Sequence, residues 1–261
     1  MRTKLKASIL FIASFLTGCS DKPDTPEAEA NIYQKAVYYN ELRPAADKAR
    51  DERRKPVEVL EFSGVKPGDK VIDLLGGGGY YTELLSHVVG ADGHVYLVNS
   101  PLFVNFTKDQ IAERLANNRL KNVTRIDGPW NALGMPENAD VIFIVLGYHD
   151  IYVPRPNNPD FEADPDAFFE QIHASLKPGG KVLVIDHAAA KGTGNEHAST
   201  LHRIDEAFAK QDFEKRGFVL VKELDVLRNP NDDFTKDIWK KGIMHLTDRF
   251  IHLYEKPISE E

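Results

Sequence analysis

Residues 65–82 read VKPGDKVIDLLGGGGYYT and place four local signals in a fixed order. A Pro-Gly turn precedes the apolar run 70–75, which is nearly continuous, as in a strand covered on both faces. The run contains one acid, Asp73, and leads into the glycine run 76–79 and the start of a helix. Glycines let the backbone approach a ligand closely, and the first helical turn offers free N–H groups to it. The stretch therefore predicts a strand, a ligand-binding loop and a helix.

The same alternation of strand and helix continues along the chain. Further strands are predicted at 94–99, 123–127, 140–146 and 181–186, and helices at 80–89, 103–118 and 165–176. Such alternation implies right-handed crossovers and a mainly parallel sheet with helices on both faces. The tail adds a helix near 201–215 and strands at 218–227 and 248–254, which fit an antiparallel hairpin at the sheet edge.

The N-terminus has the profile of a bacterial signal peptide. Three basic residues precede the apolar run 7–16, which is too short to span a bilayer. The sequence LTGC at 16–19 then resembles the lipobox of bacterial lipoproteins, in which the cysteine sulfur is lipidated before cleavage. We expect residues 1–18 to be a lipoprotein signal peptide and Cys19 to be the lipid-anchored N-terminus. Ser20 fits retention at the outer membrane, on the periplasmic side of the envelope.

The remainder of the chain divides into a tether and one folded domain. Residues 19–30 are polar and acidic and contain two prolines, so we expect a flexible tether. The 261-residue chain is 42% hydrophobic, which suffices for one sizeable core and places the domain at 31–261. The domain begins with a helical cap, residues 31–64, in which two helices are expected, the second from residue 45 to residue 62.

Charge and cysteine content narrow the partners of this domain. Without residues 1–18 the chain has 30 Lys and Arg against 40 Asp and Glu, and this negative balance disfavours binding to nucleic acid. Cys19 is the only cysteine, so the domain has no disulfide and no thiolate metal cluster. A metal site would need His and carboxylate ligands. The spacing of His187, His197, His202 and Asp205 matches no compact ligand motif, so no metal site is predicted.

The glycine stretch resembles the first motif of class I S-adenosylmethionine (SAM)-dependent methyltransferases. In that class an acid-x-Gly-x-Gly-x-Gly pattern holds the methionine part of the cofactor, and Asp73, Gly77 and Gly79 match it. Leu75 stands where the first glycine of the pattern usually lies. We expect the neighbouring Gly76 to contact the cofactor together with Gly77 and Gly79. The resemblance thus implies S-adenosylmethionine as the cofactor.

A second match supports the same resemblance. The run LKPGGKVLVI at 176–185 is similar to the turn and fifth strand of the class, and the resemblance covers residues 56–255, with a set of bacterial "predicted methyltransferases" as the nearest group. It implies a Rossmann-like fold with a mainly parallel seven-stranded sheet, an antiparallel C-terminal edge hairpin and helices on both faces. It also implies a ribose contact at Asn99, where the class has an acid, and an adenine contact at Asp127. The alternative for each of these residues is local turn chemistry.

Ligands of open α/β sheets bind beyond the carboxyl ends of the strands. His149 and Asp150 follow the fourth strand and His187 follows the fifth, so these side chains are predicted to share one rim. His149 is the first candidate for a base that takes a proton from the methyl acceptor, and Asp150 would orient it or bind the acceptor. The alternative is that each is a hydrogen-bonded polar residue at a strand end.

Other side chains are candidates for contact with a small-molecule substrate. Tyr148 and Tyr152 would line the methyl channel, because an aromatic face favours a cation. Arg54 would bind a carboxylate of the cofactor or of an acidic substrate through its bidentate guanidinium. A solvated helix face is the alternative for Arg54.

Three functions remain open from the sequence. The first is a SAM-dependent methyltransferase acting on a small molecule or a cell-envelope component. The second is a non-enzymatic, small-ligand-binding lipoprotein that retains the methyltransferase fold, which Leu75 and Asn99 favour because both weaken the usual cofactor contacts. A metal-assisted hydrolase-like site on the histidine rim is a third reading. The sequence does not indicate the oligomeric state.

Overall fold

The apolar runs of the sequence form seven strands of one sheet. The strands are β1 Lys70–Leu74, β2 His94–Asn99, β3 Val123–Asp127, β4 Ala139–Val145, β5 Leu176–His187, β6 Val219–Glu223 and β7 Arg249–Glu255. These bounds come from a computed structural model that describes residues 26–258. The predicted signal peptide, Cys19 and most of the tether lie outside the described residues. Within 26–258, no helix combines the length and the apolar character needed to cross a membrane.

The strand order places a switch point at β1. The order is β3-β2-β1-β4-β5-β7-β6, with β1 to β5 parallel and β7 antiparallel to both of its neighbours. The chain therefore moves outward in one direction from β1 through β2 to β3, and in the other direction from β4 to β5. Ligands of such sheets bind at the carboxyl ends of the strands where the order reverses. Here that position lies between β1 and β4.

Helices cover both faces of the sheet. They are α1 Ile32–Gln34, α2 Ala45–Lys48, α3 Asp51–Arg54, α4 Pro56–Ser63, α5 Tyr80–Val89, α6 Pro101–Leu115, α7 Pro165–Ser175 and α8 Glu206–Lys215. Alternate residues of a strand face opposite sides, so Val71 joins the core beneath α5, whereas Ile72 and Leu74 join the core beneath α7. This two-sided burial explains why β1 has no polar face.

The helical cap differs from the prediction. The helix expected from residue 45 to residue 62 is divided into the three short helices α2, α3 and α4. Lys55 separates the last two in a left-handed conformation, with φ at 46°. Proline disfavours helical geometry in the residue before it, so Pro56 can begin α4 but cannot continue α3. The break turns α3 towards the N-terminus of α5.

The tail elements are shorter than predicted. Helix α8 begins at Glu206 rather than near residue 201, because Asp205 caps it by accepting a hydrogen bond from the Ala207 N–H. Strand β6 ends at Glu223, and an irregular connection of residues 224–248 leads to β7, which lies between β5 and β6.

Candidate cofactor and acceptor site

The glycine loop turns sharply where β1 ends. Leu75, Gly77 and Gly79 all have left-handed φ values, 57°, 56° and 78°. Leu75 thus keeps the backbone conformation that suits a glycine at its position, at a cost of about 1–2 kcal/mol. Gly76 has no room for a side chain, since a Cβ built there would lie 2.5 Å from the carboxyl carbon of Asp73. The loop is therefore folded tightly over the end of its own strand.

Asp73 ties the strand to the helix that follows the loop. Its carboxylate is buried and accepts a hydrogen bond from Thr82 Oγ1 at 2.5 Å. Burial raises the pKa of this carboxyl to about 6, against the lowering effect of the Thr82 hydrogen bonds. In this conformation Asp73 shapes the loop from beneath.

Asn99, the predicted ribose contact, is bound to the loop. Its Oδ1 accepts from the Gly77 N–H at 2.9 Å, and its Nδ2 donates to the Gly77 carbonyl at 3.1 Å. A carboxylate at this position could accept the first bond but could not donate the second. Asp127, the predicted adenine contact, is the register neighbour of Asn99 on β3 but forms an ion pair with Arg125 at 2.6 Å. The structure therefore brings Asn99, but not the carboxylate of Asp127, to the glycine loop.

Helix α6 lies across the glycine loop. Phe103, Thr107, Gln110 and Arg114 are spaced one turn apart, so they share a face of the helix. A Cβ built on Gly77 would lie 3.6 Å from Thr107, one on Gly78 would collide with Gln110, and one on Gly79 would lie 2.7 Å from Arg114.

Phe103 fills the space where β1 and β4 end. A Cβ built on Gly147, just after β4, would lie 3.1 Å from Cζ of Phe103 and 3.3 Å from Leu75. The Phe103 ring also meets Trp130 edge-on, with centroids 6.1 Å apart. The switch point of the sheet is thus covered by an aromatic side chain.

A buried ion network holds α6 in this position. Arg114 donates to the Gly78 carbonyl at 2.5 Å and to Asp47 of the cap at 2.7 Å, and it also pairs with Glu83 of α5. Glu83 accepts from Arg119 at 2.7 Å as well. Buried charges require such pairing, because desolvation of an unpaired ion is expensive. The network therefore joins the cap, the loop and both helices.

Two largely buried arginines near the same strand ends have no acidic partner. The guanidinium of Arg54 lies 4.6 Å from the centre of the Tyr80 ring, and Arg249 donates only to Thr247 Oγ1 and to backbone carbonyls. Within residues 26–258 neither forms an ion pair. Burial lowers the pKa of both guanidinium groups. For Arg249, burial and the nearby positive charge of Arg54 together lower the pKa to about 10. An uncompensated pair of cations suits an anionic ligand.

His149 lies on the rim beyond β4, as predicted, and Asp186 orients it. The buried Asp186 carboxylate receives the His149 backbone N–H at 2.7 Å and lies 2.8 Å from Nδ1. Burial alone would lower the pKa of His149, but the charges of Asp186 and Asp150 outweigh it and raise the pKa to about 9. At neutral pH His149 is therefore mainly protonated and acts as a hydrogen-bond donor.

The other predicted rim residues surround His149. Asp150 pairs with Arg155 at 2.7 Å, with one carboxylate oxygen 3.7 Å from His149 Nε2. The His187 ring centre lies 6.1 Å from that of His149, and its Nδ1 lies 2.6 Å from Thr247 Oγ1. Burial and nearby cations hold the pKa of His187 well below its ordinary value, so it is neutral. The rim thus pairs one cationic and one neutral histidine.

Comparison with known proteins identifies the family of this chain. The sequence model of the methyltransferase domain family matches residues 65–246, which include the glycine loop and the rim. The chain belongs to the methyltransferase domain family. S-adenosylmethionine is the cofactor of its class, as the sequence motifs imply.

The relatives of this methyltransferase domain are distant. A ubiquinone/menaquinone biosynthesis C-methyltransferase of a Shewanella species (strain ANA-3) is 28% identical over 170 residues, which are 64% of this chain and 59% of the relative. A SAM-dependent methyltransferase of Aquifex aeolicus has a TM-score of 0.56 at 21% identity, covering 87% of this chain and all of the other. The [4+2]-cyclase SpnF has a TM-score of 0.54 at 15% identity, with coverage of 84% and 86%. The last two share the class I methyltransferase fold.

The polar groups of the methyltransferase site fit S-adenosylmethionine. Ser100 Oγ and Trp130 Nε1 are buried with no hydrogen-bond partner among residues 26–258; Ser100 follows β2, and Trp130, three residues after β3, meets Phe103. Buried polar atoms are rarely left unpaired, so a ligand with hydroxyl and ring-nitrogen groups suits them. The unpaired Arg54 and Arg249 suit its carboxylate. In this conformation the site has no room for the cofactor, because the Phe103 ring occupies the space.

Two predicted substrate contacts, the buried Tyr148 and the partly buried Tyr152, are bonded to α8 instead of lining a channel. Tyr148 has no exposed surface, and its hydroxyl donates to Asp212 at 2.7 Å. Tyr152 donates to the same carboxylate, and its ring packs on Phe208. Both tyrosines therefore join β4 to α8 in this structure.

Several site residues were missed from the sequence. Asp186 had a usable signal, because an acid that ends an apolar strand is expensive unless it is paired. Phe103 and Arg249 had none, since their contacts join segments far apart in the chain.

Proposed function

We propose that this protein is a SAM-dependent methyltransferase that methylates a small molecule or a cell-envelope component. The observation that carries the proposal is the glycine loop, with left-handed Leu75, Gly77 and Gly79, at the switch point of the sheet. The histidine rim lies at the adjacent strand ends. The two features supply neighbouring places for a cofactor and an acceptor, which methyl transfer requires.

The chain's own residues would hold the cofactor at both ends. When bound, S-adenosylmethionine supplies a methyl group on a positively charged sulfur. Gly77 and Gly79 allow the backbone to approach it, and Arg54 with Arg249 neutralises its carboxylate. Ser100 and Trp130 provide the unpaired polar atoms for its nucleoside. Bringing the two reactants into contact, rather than proton transfer, is the main task of these residues.

Cofactor binding requires α6 to leave the loop. Phe103 and Leu75 both lie against Gly147 at the switch point, and the helix is held there chiefly by Arg114. Most of the outward surface of α6 is polar, and Phe106 on that surface is 76% exposed, so no layer of residues 26–258 covers this side of the helix. We propose that α6 is a lid and that the described conformation is its closed form.

The acceptor would lie against the rim. His149, fixed by Asp186, and Asp150 would offer a donor and an acceptor for its polar group, and the His187 ring lies 6.1 Å from that of His149. A ubiquinone/menaquinone biosynthesis C-methyltransferase among the relatives supports a small-molecule acceptor that is methylated at carbon. The chain spans 59% of the length of that relative.

We propose in addition that the protein is held on the periplasmic side of the envelope, at the outer membrane, through lipidated Cys19. The motif at residues 16–19 supports this. Replacing Cys19 by Ala should move the protein from the membrane fraction to the soluble fraction after cell lysis. Retention of Cys19→Ala in the membrane fraction would contradict the anchor.

The second candidate is a lipoprotein that uses the fold to bind another small ligand. The filling of the switch point by Phe103 favours it, and so does the supply of S-adenosylmethionine, which is made in the cytoplasm. The fold itself does not distinguish the two candidate functions, since the structurally similar SpnF is named as a cyclase.

Incubation of the purified chain with methyl-labelled S-adenosylmethionine and an extract of envelope small molecules separates the two. A labelled product that is absent with Gly77→Arg supports the methyltransferase. Binding of an envelope component without any transfer of label supports the second candidate.

A further inference from the structure

The structure brings three potential metal ligands together on the rim. His149, Asp150 and His202 each offer one ligand atom, and the three atoms lie within 4.8 Å of one another. The His202 ring centre is 5.6 Å from that of His149, although the two residues are far apart in sequence. Two imidazoles and one carboxylate are a ligand set typical of zinc and related transition metals.

His149 is already oriented as a metal ligand. Asp186 engages Nδ1 and the backbone N–H, which fixes the ring and leaves Nε2 directed at Asp150. Nε2 has no hydrogen-bond partner among the described residues, and a bound metal ion would displace its proton. Metal-binding histidines almost always pair their other ring nitrogen with a carboxylate or carbonyl in this way. The dyad of Asp186 and His149 therefore supplies an outer-shell partner as well as a ligand.

Asp150 has one oxygen available. Arg155 binds Oδ1 at 2.7 Å, and Oδ2 is the atom that lies 3.7 Å from His149 Nε2. A neighbouring arginine that holds one oxygen fixes the direction of the other. The carboxylate can then bind a metal through one atom without losing its ion pair.

The segment that carries His202 is fixed by its neighbour. Arg203 is fully buried, pairs with Asp232 at 2.7 Å and donates to the Ala188 carbonyl just after β5. His202 itself is in a left-handed conformation with φ at 54°, and its side chain is partly exposed. Zinc bonds of about 2.0–2.2 Å require ligand atoms roughly 3.3 Å apart. The three ligand atoms here lie within 4.8 Å of one another, so they must approach by at most about 1.5 Å. A rotation of the partly exposed His202 side chain can supply this.

A second cluster of potential metal ligands has its carboxylates already paired with basic side chains. Glu206, Glu223 and His252 also lie within reach of one another, but Arg228 and Lys210 pair with the two carboxylates. His252 lies 3.0 Å from Glu206, so these charges are satisfied without an ion.

We propose that His149, Asp150 and His202 bind one divalent transition-metal ion of the zinc class, with Asp186 as the outer-shell partner of His149. The partly exposed side of His202 leaves a position for water or for the hydroxyl oxygen of an acceptor. This acceptor role rests on the proposed function and narrows the substrate class to molecules with a metal-binding hydroxyl group. The binding of the metal does not depend on that role. The site also departs from the sequence prediction of no metal.

Calorimetric titration of the whole, chelator-treated chain with Zn²⁺ tests the site. One equivalent should bind with micromolar or tighter affinity, and His149→Gln or His202→Gln should weaken it at least tenfold. Asp186→Asn, which touches no metal, should weaken it by about 10–100-fold. His94→Gln, at the opposite end of the sheet, is the matched control and should bind as the wild type does.

Cobalt provides a readout that needs no variant. The intense visible absorption of a four- or five-coordinate Co²⁺ site in the wild type supports the proposal. Uptake of no Co²⁺, the weak spectrum of the hydrated ion, or unchanged Zn²⁺ affinity in folded His202→Gln would overturn it. Titrating the same sample with S-adenosylmethionine keeps the two claims apart. Metal binding without cofactor binding contradicts the proposed function alone, whereas cofactor binding without metal binding contradicts only the metal site.

Discussion

The ring of Phe103 lies over Gly147, so close that a Cβ on that glycine would be 3.1 Å from Cζ. Gly147 follows β4 and Phe103 lies in the first turn of α6, so this contact joins the two sides of the switch point. The same ring meets Trp130 edge-on, and Leu75 lies against Gly147 as well, beside the place where a nucleoside would lie. Cofactor binding and the packing of α6 therefore compete for one volume.

Phe103→Ala should strengthen cofactor binding. Removing the ring lowers the free energy needed to open the lid, and the apparent affinity rises with the fraction of open protein. We expect an increase of about tenfold in the affinity for S-adenosylmethionine, measured by calorimetry. Phe106→Ala on the exposed surface of the same helix is the control and should change nothing. Weaker binding by Phe103→Ala would mean that the ring contacts the cofactor rather than displaces it.

Arg114→Met should destabilise the fold. The substitution leaves the buried carboxylates of Asp47 and Glu83 without their shared partner. Removing one member of a buried network typically costs about 3–5 kcal/mol. Urea unfolding measures this free energy. Arg125→Gln, which breaks the exposed pair with Asp127, should cost less than about 1 kcal/mol.

Stability should depend on pH through Asp73. Its pKa is about 6 in the folded chain against an ordinary value of 3.8, so the folded state favours the protonated form. The stabilisation is complete below the ordinary pKa and is lost as pH rises through about 6. From pH 4 to pH 7 the free energy of unfolding should fall relative to that of Asp73→Asn, by up to about 3 kcal/mol. Parallel curves for the two proteins would contradict the shift.

Arg54→Gln should separate binding from stability. The arginine is partly buried near Arg249 and has no acidic partner among residues 26–258, so its removal should leave the unfolding free energy unchanged or higher. Affinity for S-adenosylmethionine should fall about tenfold or more if the guanidinium holds its carboxylate. Arg53→Gln, which alters the exposed neighbour, is the control. If Arg54→Gln and Arg53→Gln bind S-adenosylmethionine with equal affinity, Arg54 does not hold the cofactor carboxylate.

The sequence predicted the elements with strong patterns. Helix α5 and strands β2 and β3 have the expected bounds, because each has a clear apolar pattern bounded by a turn. The cap was less predictable. The apolar spacing of its residues suggested one long helix, whereas Pro56 and the left-handed Lys55 divide it.

The site was predictable where it follows from strand ends. The glycine loop and the rim of His149, Asp150 and His187 follow from the rule that ligands bind beyond parallel strands. The approach of His202 to His149, by contrast, depends on how the irregular segment before α8 folds back over β5. No local pattern encodes such a long-range contact.

The central claim is that the glycine loop binds S-adenosylmethionine once α6 moves. Calorimetric titration of the purified chain with S-adenosylmethionine and its demethylated product tests it directly. We expect micromolar binding of at least one of them to the wild type, tighter binding to Phe103→Ala and none to Gly77→Arg, whose side chain would fill the loop. No binding of either ligand to wild type and Phe103→Ala alike would contradict the account.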